Sequence, residues 1–306
     1  MKFTIYQESR PGKRPNNEDR LAHCYSRDAL MMVIADGMGG HYYGEIAAQI
    51  AVQGLTEAFQ REANPKIHDP FSFLNRAMLN AHRAILDFTE VHKLDDSPRT
   101  TCVACLIQDN IAYWAHAGDS RLYVIRGGKV LTRTRDHSRV QLLIDQGIIT
   151  EAQAAFHPDR NKVYSCLGGR QDPDIELSRK TPLEAGDVLA LCTDGLWGLY
   201  QDDLLATALR RENLMKVVPD ILDEADERGG PNADNLSIVA VRWEDTYVEP
   251  GSGTSSAIHT RTMPLGAFTT KLDEFGRNPK YKTELTEDEI ERAILEIRST
   301  IQKFSK

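Results

Sequence analysis

Four aspartates stand at the ends of apolar, strand-like runs, and each is followed by Gly, Ser or Asn, residues suited to a tight turn. Asp36 follows Met31-Met32-Val33-Ile34-Ala35, and Asp119 follows Trp114-Ala115-His116-Ala117-Gly118. Asp194 follows Val188-Leu189-Ala190-Leu191-Cys192-Thr193, and Asp234-Asn235 precedes Leu236-Ser237-Ile238-Val239-Ala240-Val241. A carboxylate at the mouth of a buried strand is costly to desolvate unless it is paired or binds a cation. Four of them converging on one sheet edge would make an oxygen-rich cage for hard divalent metals. The chemistry of such a cage is metal-assisted hydrolysis. Two ions roughly 3.5–4 Å apart lower the pKa of a shared water and hold the oxygens of the group under attack.

One Asp-Gly dipeptide is weak evidence, because it is a common turn. Two of them closing apolar runs, with Gly118-Asp119-Ser120-Arg121 and Asp234-Asn235 beside strands, are stronger. Glu18-Asp19 adds two carboxylates in the polar run Arg14-Pro15-Asn16-Asn17-Glu18-Asp19. No His pair has metal spacing, so Mg²⁺ or Mn²⁺ fits better than zinc. Arg14, four residues before Glu18, would grip a phosphate with its planar fork if it lay beside the metals. On position alone, a solvated Arg near Lys13 is the favoured reading. His41 and His137 are candidate proton donors, although a lone His is usually structural.

Met38-Gly39-Gly40-His41-Tyr42-Tyr43-Gly44 lacks both the Lys-Ser/Thr ending and the spacing of a nucleotide loop, and reads as a tight strand-to-helix connection. Cys102 and Cys105 form a lone C-x-x-C in a strand-like run. Positions i and i+3 of a strand face opposite ways, so these read as ordinary core thiols.

Strands and helices must hold these groups in place. Helical patterns run from Gly44 to Phe59, Phe71 to Val91, Val140 to Gly147, Thr150 to Ala155, Leu204 to Arg211 and Leu214 to Glu227. Ile111 to Ala117 and Arg121 to Arg126 flank the Gly118-Asp119-Ser120 turn, and Gly127-Gly128 joins the latter to Val130-Leu131-Thr132 as a hairpin. Meandering strands with grouped helices predict antiparallel sheets faced by helices.

The chain divides near residue 245. Residues 1–245 read as one domain, 246–283 as a linker opening Glu249-Pro250-Gly251-Ser252-Gly253, and 284–306 as an amphipathic helix. In that helix Ile290, Ile294, Ile297, Ile301 and Phe304 form one apolar stripe that would dock on a partner, a second copy or the domain itself. The chain has 306 residues, 41% hydrophobic and 27% charged, as a soluble globular protein would. The net charge of −8 argues against nucleic acid, and no apolar run approaches a membrane span. The start turns polar too soon for a signal peptide, and five scattered cysteines fit a reducing, cytoplasmic setting.

The ordered set Arg14-Pro15-Asn16-Asn17-Glu18-Asp19, Asp36-Gly37-Met38-Gly39-Gly40, Gly118-Asp119-Ser120-Arg121, Asp136-His137-Ser138, Thr193-Asp194-Gly195 and Asp234-Asn235 resembles the motifs of metal-dependent serine/threonine protein phosphatases, the PPM or type-2C family. The likeness is greatest to bacterial members and runs from about residue 3 to 243. It implies an α+β fold: an αββα sandwich of two antiparallel sheets flanked by helices, here with a C-terminal helical extension.

The resemblance also implies a centre of two Mn²⁺ or Mg²⁺ ions bridged by Asp36, completed by the Gly37 carbonyl, Asp194 and Asp234. Glu18 would reach it largely through water, and Asp119 would hold a third, weaker ion. With Asp19, these make up the candidate metal-ligating set. Arg14, Asp36 and Asp194 are the candidate catalytic residues, and 140–168 matches a flap beside the site. Met38 stands where many eukaryotic relatives have His, which leaves the general acid open, with metal-bound water as the alternative.

The implied reaction is hydrolysis of phosphoserine and phosphothreonine by metal-activated water, without a phosphoenzyme. The implied partners are phosphoproteins and a cognate Ser/Thr kinase. The rival readings are a non-catalytic phosphoprotein-binding scaffold and a small-molecule phosphohydrolase. The complete carboxylate set argues against the scaffold.

Overall fold

Along a strand, successive side chains leave on opposite faces. Leu30, Met32 and Ile34 therefore enter one core while Ala29, Met31, Val33 and Ala35 enter another. A strand apolar on both faces must be covered on both, and that requirement sets the layering.

The computed structural model describes residues 1–38, 43–154, 156–210 and 213–245, together with the backbone of 269–272. β1 (Phe3–Arg10), β2 (Asp19–Tyr25) and β3 (Ala29–Met38) lead to α1 (Gly44–Glu62) and α2 (Pro70–Val91). A meander follows: β4 (Arg99–Thr100), β5 (Cys102–Gln108), β6 (Ile111–Ala117), β7 (Arg121–Arg126) and β8 (Lys129–Arg133). Next come α3 (Arg139–Asp145), α4 (Glu151–Ala154), β9 (Glu176–Leu177), β10 (Thr181–Pro182) and β11 (Val188–Cys192). The series ends with α5 (Asp194–Trp197), α6 (Asp202–Leu209), α7 (Leu214–Gly229), β12 (Leu236–Trp243) and β13 (Thr269–Leu272).

One sheet has the order β1-β12-β11-β7-β8, and the other β10-β6-β5-β3-β2-β13, with β4 on β3 and β9 on β6. Every pairing is antiparallel. Between the sheets, Met32, Val103 and Trp114 meet Leu122, Leu191, Val239 and Trp243. Phe59, Phe73 and Ile85 of α1 and α2 cover the second sheet, and Leu205, Val218 and Leu222 of α6 and α7 cover the first. The result is the expected αββα sandwich. Cys102 faces the helix-side core and Cys105 the inter-sheet core, both as free thiols, which is the reading their spacing gave.

Helix ends follow local chemistry. Asp69 caps α2 by accepting the Ser72 N–H, and Pro70 supplies a fixed φ where no N–H is needed. Helix α6 begins at Asp202, earlier than the apolar pattern from Leu204 suggests. Asp202 and Asp203 occupy its first turn, where carboxylates oppose the positive end of the helix. Within the segment read as a linker, β13 pairs with β2, Thr269 opposite Tyr25 and Leu272 opposite Ala22. Four residues are too few for a periodic signal. The remaining linker and the expected helix at 284–306 lie outside the described residues. Among the described residues, no helix is long and apolar enough to cross a membrane.

Candidate metal centre

The register of β2 against β3 sets Asp19 directly opposite Asp36. The Asp36 N–H donates to Thr101 Oγ1 at 3.1 Å, and its carbonyl accepts from the Thr101 N–H at 2.9 Å and Thr100 Oγ1 at 2.8 Å. Thr101 Oγ1 in turn shares a 2.7 Å bond with Ser120 Oγ, tying β3 to the turn that carries Asp119. The Asp119 carbonyl accepts the Trp197 indole N–H at 2.9 Å, so the same turn is joined to α5, which Asp194 opens. Thr193 Oγ1 donates to Asp19 Oδ2 at 2.9 Å.

Asn235 holds the fourth aspartate in place. Its Nδ2 donates to the carbonyls of Pro11 and Asn16 at 3.0 and 2.9 Å, and its Oδ1 accepts the Glu18 N–H at 2.8 Å. The loop bearing Arg14 and Glu18 is thereby laid against Asp234. Close approach also requires glycine. A Cβ at Gly44 would collide with Glu18 Oε2, and one at Gly195 with the Asn235 carbonyl.

Asp19 and Asp119 are buried, while Glu18, Asp36, Asp194 and Asp234 are partly buried around them. Burial pushes the Asp36 carboxyl well up, and Asp19, Asp194, Asp119 and Asp234 push it further. Asp119 is raised by burial and then by Asp194. Asp194 is raised by burial and then by Asp234, against a hydrogen bond from Asp36. Burial lifts Asp19 to about 7, against hydrogen bonds from Ser237 and Thr193. Glu18 also rises to about 7, by burial and then by Glu45. Like-charged carboxylates this close cannot all ionise without a cation. Asp19 Oδ1 is buried with no hydrogen-bond partner among the described residues. An all-oxygen, like-charged set with an orphaned oxygen fits hard divalent ions.

The structure brings Asp19, Asp36, Asp119, Asp194 and Asp234 together, as their mutual electrostatic influence requires. Gly37 lies beside Glu18, donating its N–H to the Glu18 carbonyl at 3.2 Å. Arg14 reaches this group too: its Nη2 lies 2.6 Å from Asp234 Oδ2, with its side chain 57% exposed. Its pKa is raised, first by the hydrogen bond to Asp234, against burial, with Asp194 and Glu18 adding smaller contributions. Lys13 points elsewhere, to Asp226 at 3.1 Å. His41 lies outside the described residues. The His137 ring packs on His116 and Tyr164 and faces Glu176. Isolated bridges join Ser138 to Val163 and Thr100 to Leu167, around the segment 140–168 expected to act as a flap.

Two contributors escaped the sequence reading. Glu45, in the first turn of α1, has a buried Oε2 with no hydrogen-bond partner among the described residues and raises Glu18. Its acidic place after Gly44 was legible, but its proximity to Glu18 was not. Thr193 was visible only as a neighbour of Asp194, and its bond to Asp19 joins the two sheets.

Residues 8–233 match the sequence model of the protein phosphatase 2C family. The chain belongs to that family. This phosphatase is 32% identical over 286 residues to the serine/threonine protein phosphatase PstP of Mycobacterium tuberculosis, covering 86% of this chain and 53% of PstP. It therefore spans about half the length of that relative. It is 30% identical over 240 residues to the protein phosphatase PhpP of Streptococcus pneumoniae, covering 76% of this chain and 95% of PhpP. The solved catalytic domain of PstP with two manganese ions superposes with a TM-score of 0.67 at 30% identity, covering 79% of this chain and 99% of that one.

Proposed function

We propose that this phosphatase removes phosphate from phosphoserine and phosphothreonine side chains of cytoplasmic proteins, in opposition to a Ser/Thr kinase. The observation that carries this is the meeting of Asp19 and Asp36 of one sheet with Asp194 and Asp234 beside strands of the other, with Asp119 on the turn between β6 and β7 and Arg14 bonded to Asp234. Asp36, Asp194, Asp234 and the Gly37 carbonyl would hold a pair of Mn²⁺ or Mg²⁺ ions, with Glu18 reaching them through water. Asp119 would hold a third ion, and Asp19 would back Asp36 from the neighbouring strand. When bound, such ions supply a water of lowered pKa and grip the phosphate oxygens.

The residues do the rest. The exposed fork of Arg14 takes two phosphate oxygens and orients the ester, while Asp234 holds the guanidinium at the rim. The Thr101–Ser120 and Trp197–Asp119 hydrogen bonds keep the carboxylates from spreading apart under their own repulsion. The complete acidic set weighs against a scaffold that only binds phosphoproteins.

Phosphate release from phosphothreonine and phosphotyrosine peptides, with and without Mn²⁺, tests this reading. Release from phosphothreonine only when Mn²⁺ is present supports it. Release in excess chelator, or preference for phosphotyrosine, overturns it.

The catalytic unit in this proposal is 1–245, and 284–306 serves to dock a partner rather than to catalyse. A chain cut after Asp245 keeps Mn²⁺-dependent turnover of a small phosphate ester. Loss of turnover in a folded truncation would place the tail in the site.

A further inference from the structure

A second group of donors lies against the Gly118–Asp119 turn, and it differs in kind from the first. His116 in β6 pairs directly with Glu176 in β9. His137 arrives from the loop after β8, its N–H donating to the Gly118 carbonyl at 2.9 Å. One potential ligand atom from each of His116, His137 and Glu176 lies within 4.8 Å of the other two. His137 Nε2 is 3.5 Å from Glu176 Oε2, and the two imidazole ring centroids lie 4.5 Å apart with the planes tilted by 34°.

The hydrogen bonds fix which nitrogen is free. His116 Nε2 lies 2.7 Å from the Arg135 carbonyl, a bond it can make only as a donor. Its proton is therefore on Nε2, and Nδ1 carries a lone pair. That Nδ1 is buried without a hydrogen-bond partner among the described residues, an arrangement that costs stability unless something occupies the lone pair. Burial, and then His137, lower the pKa of this ring, so the lone pair is available at neutral pH. A metal-ligating histidine ordinarily donates its other N–H to a carbonyl or carboxylate, as His116 does. Arg135, the nearby guanidinium, is ion-paired with Asp145 and acts on Glu176 only as a weaker charge.

We propose that His116, His137 and Glu176 bind one transition-metal ion of zinc type, separate from the carboxylate centre. Two imidazoles and a carboxylate suit such an ion, whereas the all-oxygen centre suits Mn²⁺ or Mg²⁺. Loading has one local cost. His137 Nδ1 accepts the Gly118 N–H at 3.4 Å, which puts the ring proton on Nε2. Coordination through Nε2 transfers that proton to Nδ1, so the long Gly118 bond must give way. Sequence spacing could not show this site, because the three residues come from different elements.

The test uses the full chain, stripped of metal and saturated with Mg²⁺ to fill the oxygen centre, then titrated with Co²⁺ as a spectroscopic probe. Wild type is expected to take up one equivalent with the intense visible bands of a nitrogen-ligated ion of low coordination number. Glu176→Gln, at a side chain 52% exposed and so a safe substitution for folding, weakens that uptake at least about tenfold, as does His116→Asn. Asp36→Asn retains it, which separates this site from the phosphatase centre and from the proposed activity. Equal Co²⁺ affinity in wild type and Glu176→Gln, or only the weak bands of six oxygen ligands, would overturn the proposal.

Discussion

Asp136 and Asp187 are buried as deeply as Asp19 and Asp119, yet the chain treats the two pairs in opposite ways. Asp136 receives both forks of Arg121 at 2.8 Å, and that guanidinium lies 3.6 Å above the Trp197 ring. Asp187 receives Arg126 in the same bidentate fashion at 2.8 Å. Asp19 has only hydroxyl donors, Thr193 and Ser237, and its charged neighbours include Asp194 and Asp234. Asp119 faces Asp194 and Asp136 first, with Arg121 a smaller, opposing influence. Where the fold needs a buried carboxylate, it supplies an arginine. At the strand ends it gathers carboxylates instead, and Arg14, which ion-pairs with Asp234 there, sits exposed at the rim. The difference marks the first region as structural and the second as built for a cation that the chain does not encode.

Substitution should separate the two regions, and the largest effect is catalytic. Asp36→Asn or Asp194→Asn is expected to abolish metal-dependent hydrolysis, a loss of about 10³-fold or more, with the circular dichroism spectrum unchanged. Asp136→Asn acts on the fold instead. It leaves Arg121, 12% exposed, without its bidentate partner, at a cost of about 3 kcal/mol in chemical denaturation. In chelator, Asp36→Asn replaces a carboxyl that burial and its neighbours already favour in the neutral form, and should not destabilise. If both variants lost stability equally without metal, the contrast between the regions would fail.

Arg14→Ala has a smaller effect. Loss of a charge-assisted phosphate contact raises KM for a small phosphate ester about tenfold, with a lesser fall in kcat. Wild-type kinetics would make Arg14 merely the counter-ion of Asp234.

The least effect is on pH dependence. Glu18 and Asp19 titrate near 7 in the metal-free fold, above their unfolded values. Between about pH 4 and 7 the folded chain therefore binds more protons than the unfolded one, so stability falls as pH rises. Thermal melts in chelator should show that fall, and Mn²⁺ should remove it. A metal-free melting temperature that climbs from pH 5 to 7.5 would contradict the shared-charge account.

Much of this was legible in the residues, for physical reasons. Apolar runs and turn chemistry placed Asp119 and Asp194 just beyond strand ends, and β6 and β7 begin and end where the pattern does; β3, however, continues through Asp36 to Met38 because Gly37 and Met38 pair with β4. Cys102 and Cys105 went to opposite cores because a strand has period two. Convergence in space was not legible from pattern alone. The Asp19–Asp36 register, the Asn235 clamp on the Arg14 loop, and the need for Gly44 beside Glu18 depend on contacts between distant segments. The early start of α6 was missed because apolar periodicity is silent about the polar first turn, where Asp202 and Asp203 sit. The four-residue edge strand β13 carries no period at all.

The most direct measurement is calorimetric titration of the chelator-stripped chain with Mn²⁺ at neutral pH, for wild type and Asp36→Asn. The account predicts Mn²⁺ binding accompanied by proton release, because carboxyl groups held protonated by one another must ionise to take the ions, and loss of that binding in Asp36→Asn. Absence of Mn²⁺ binding by the folded wild type, or unchanged binding by Asp36→Asn, would contradict it.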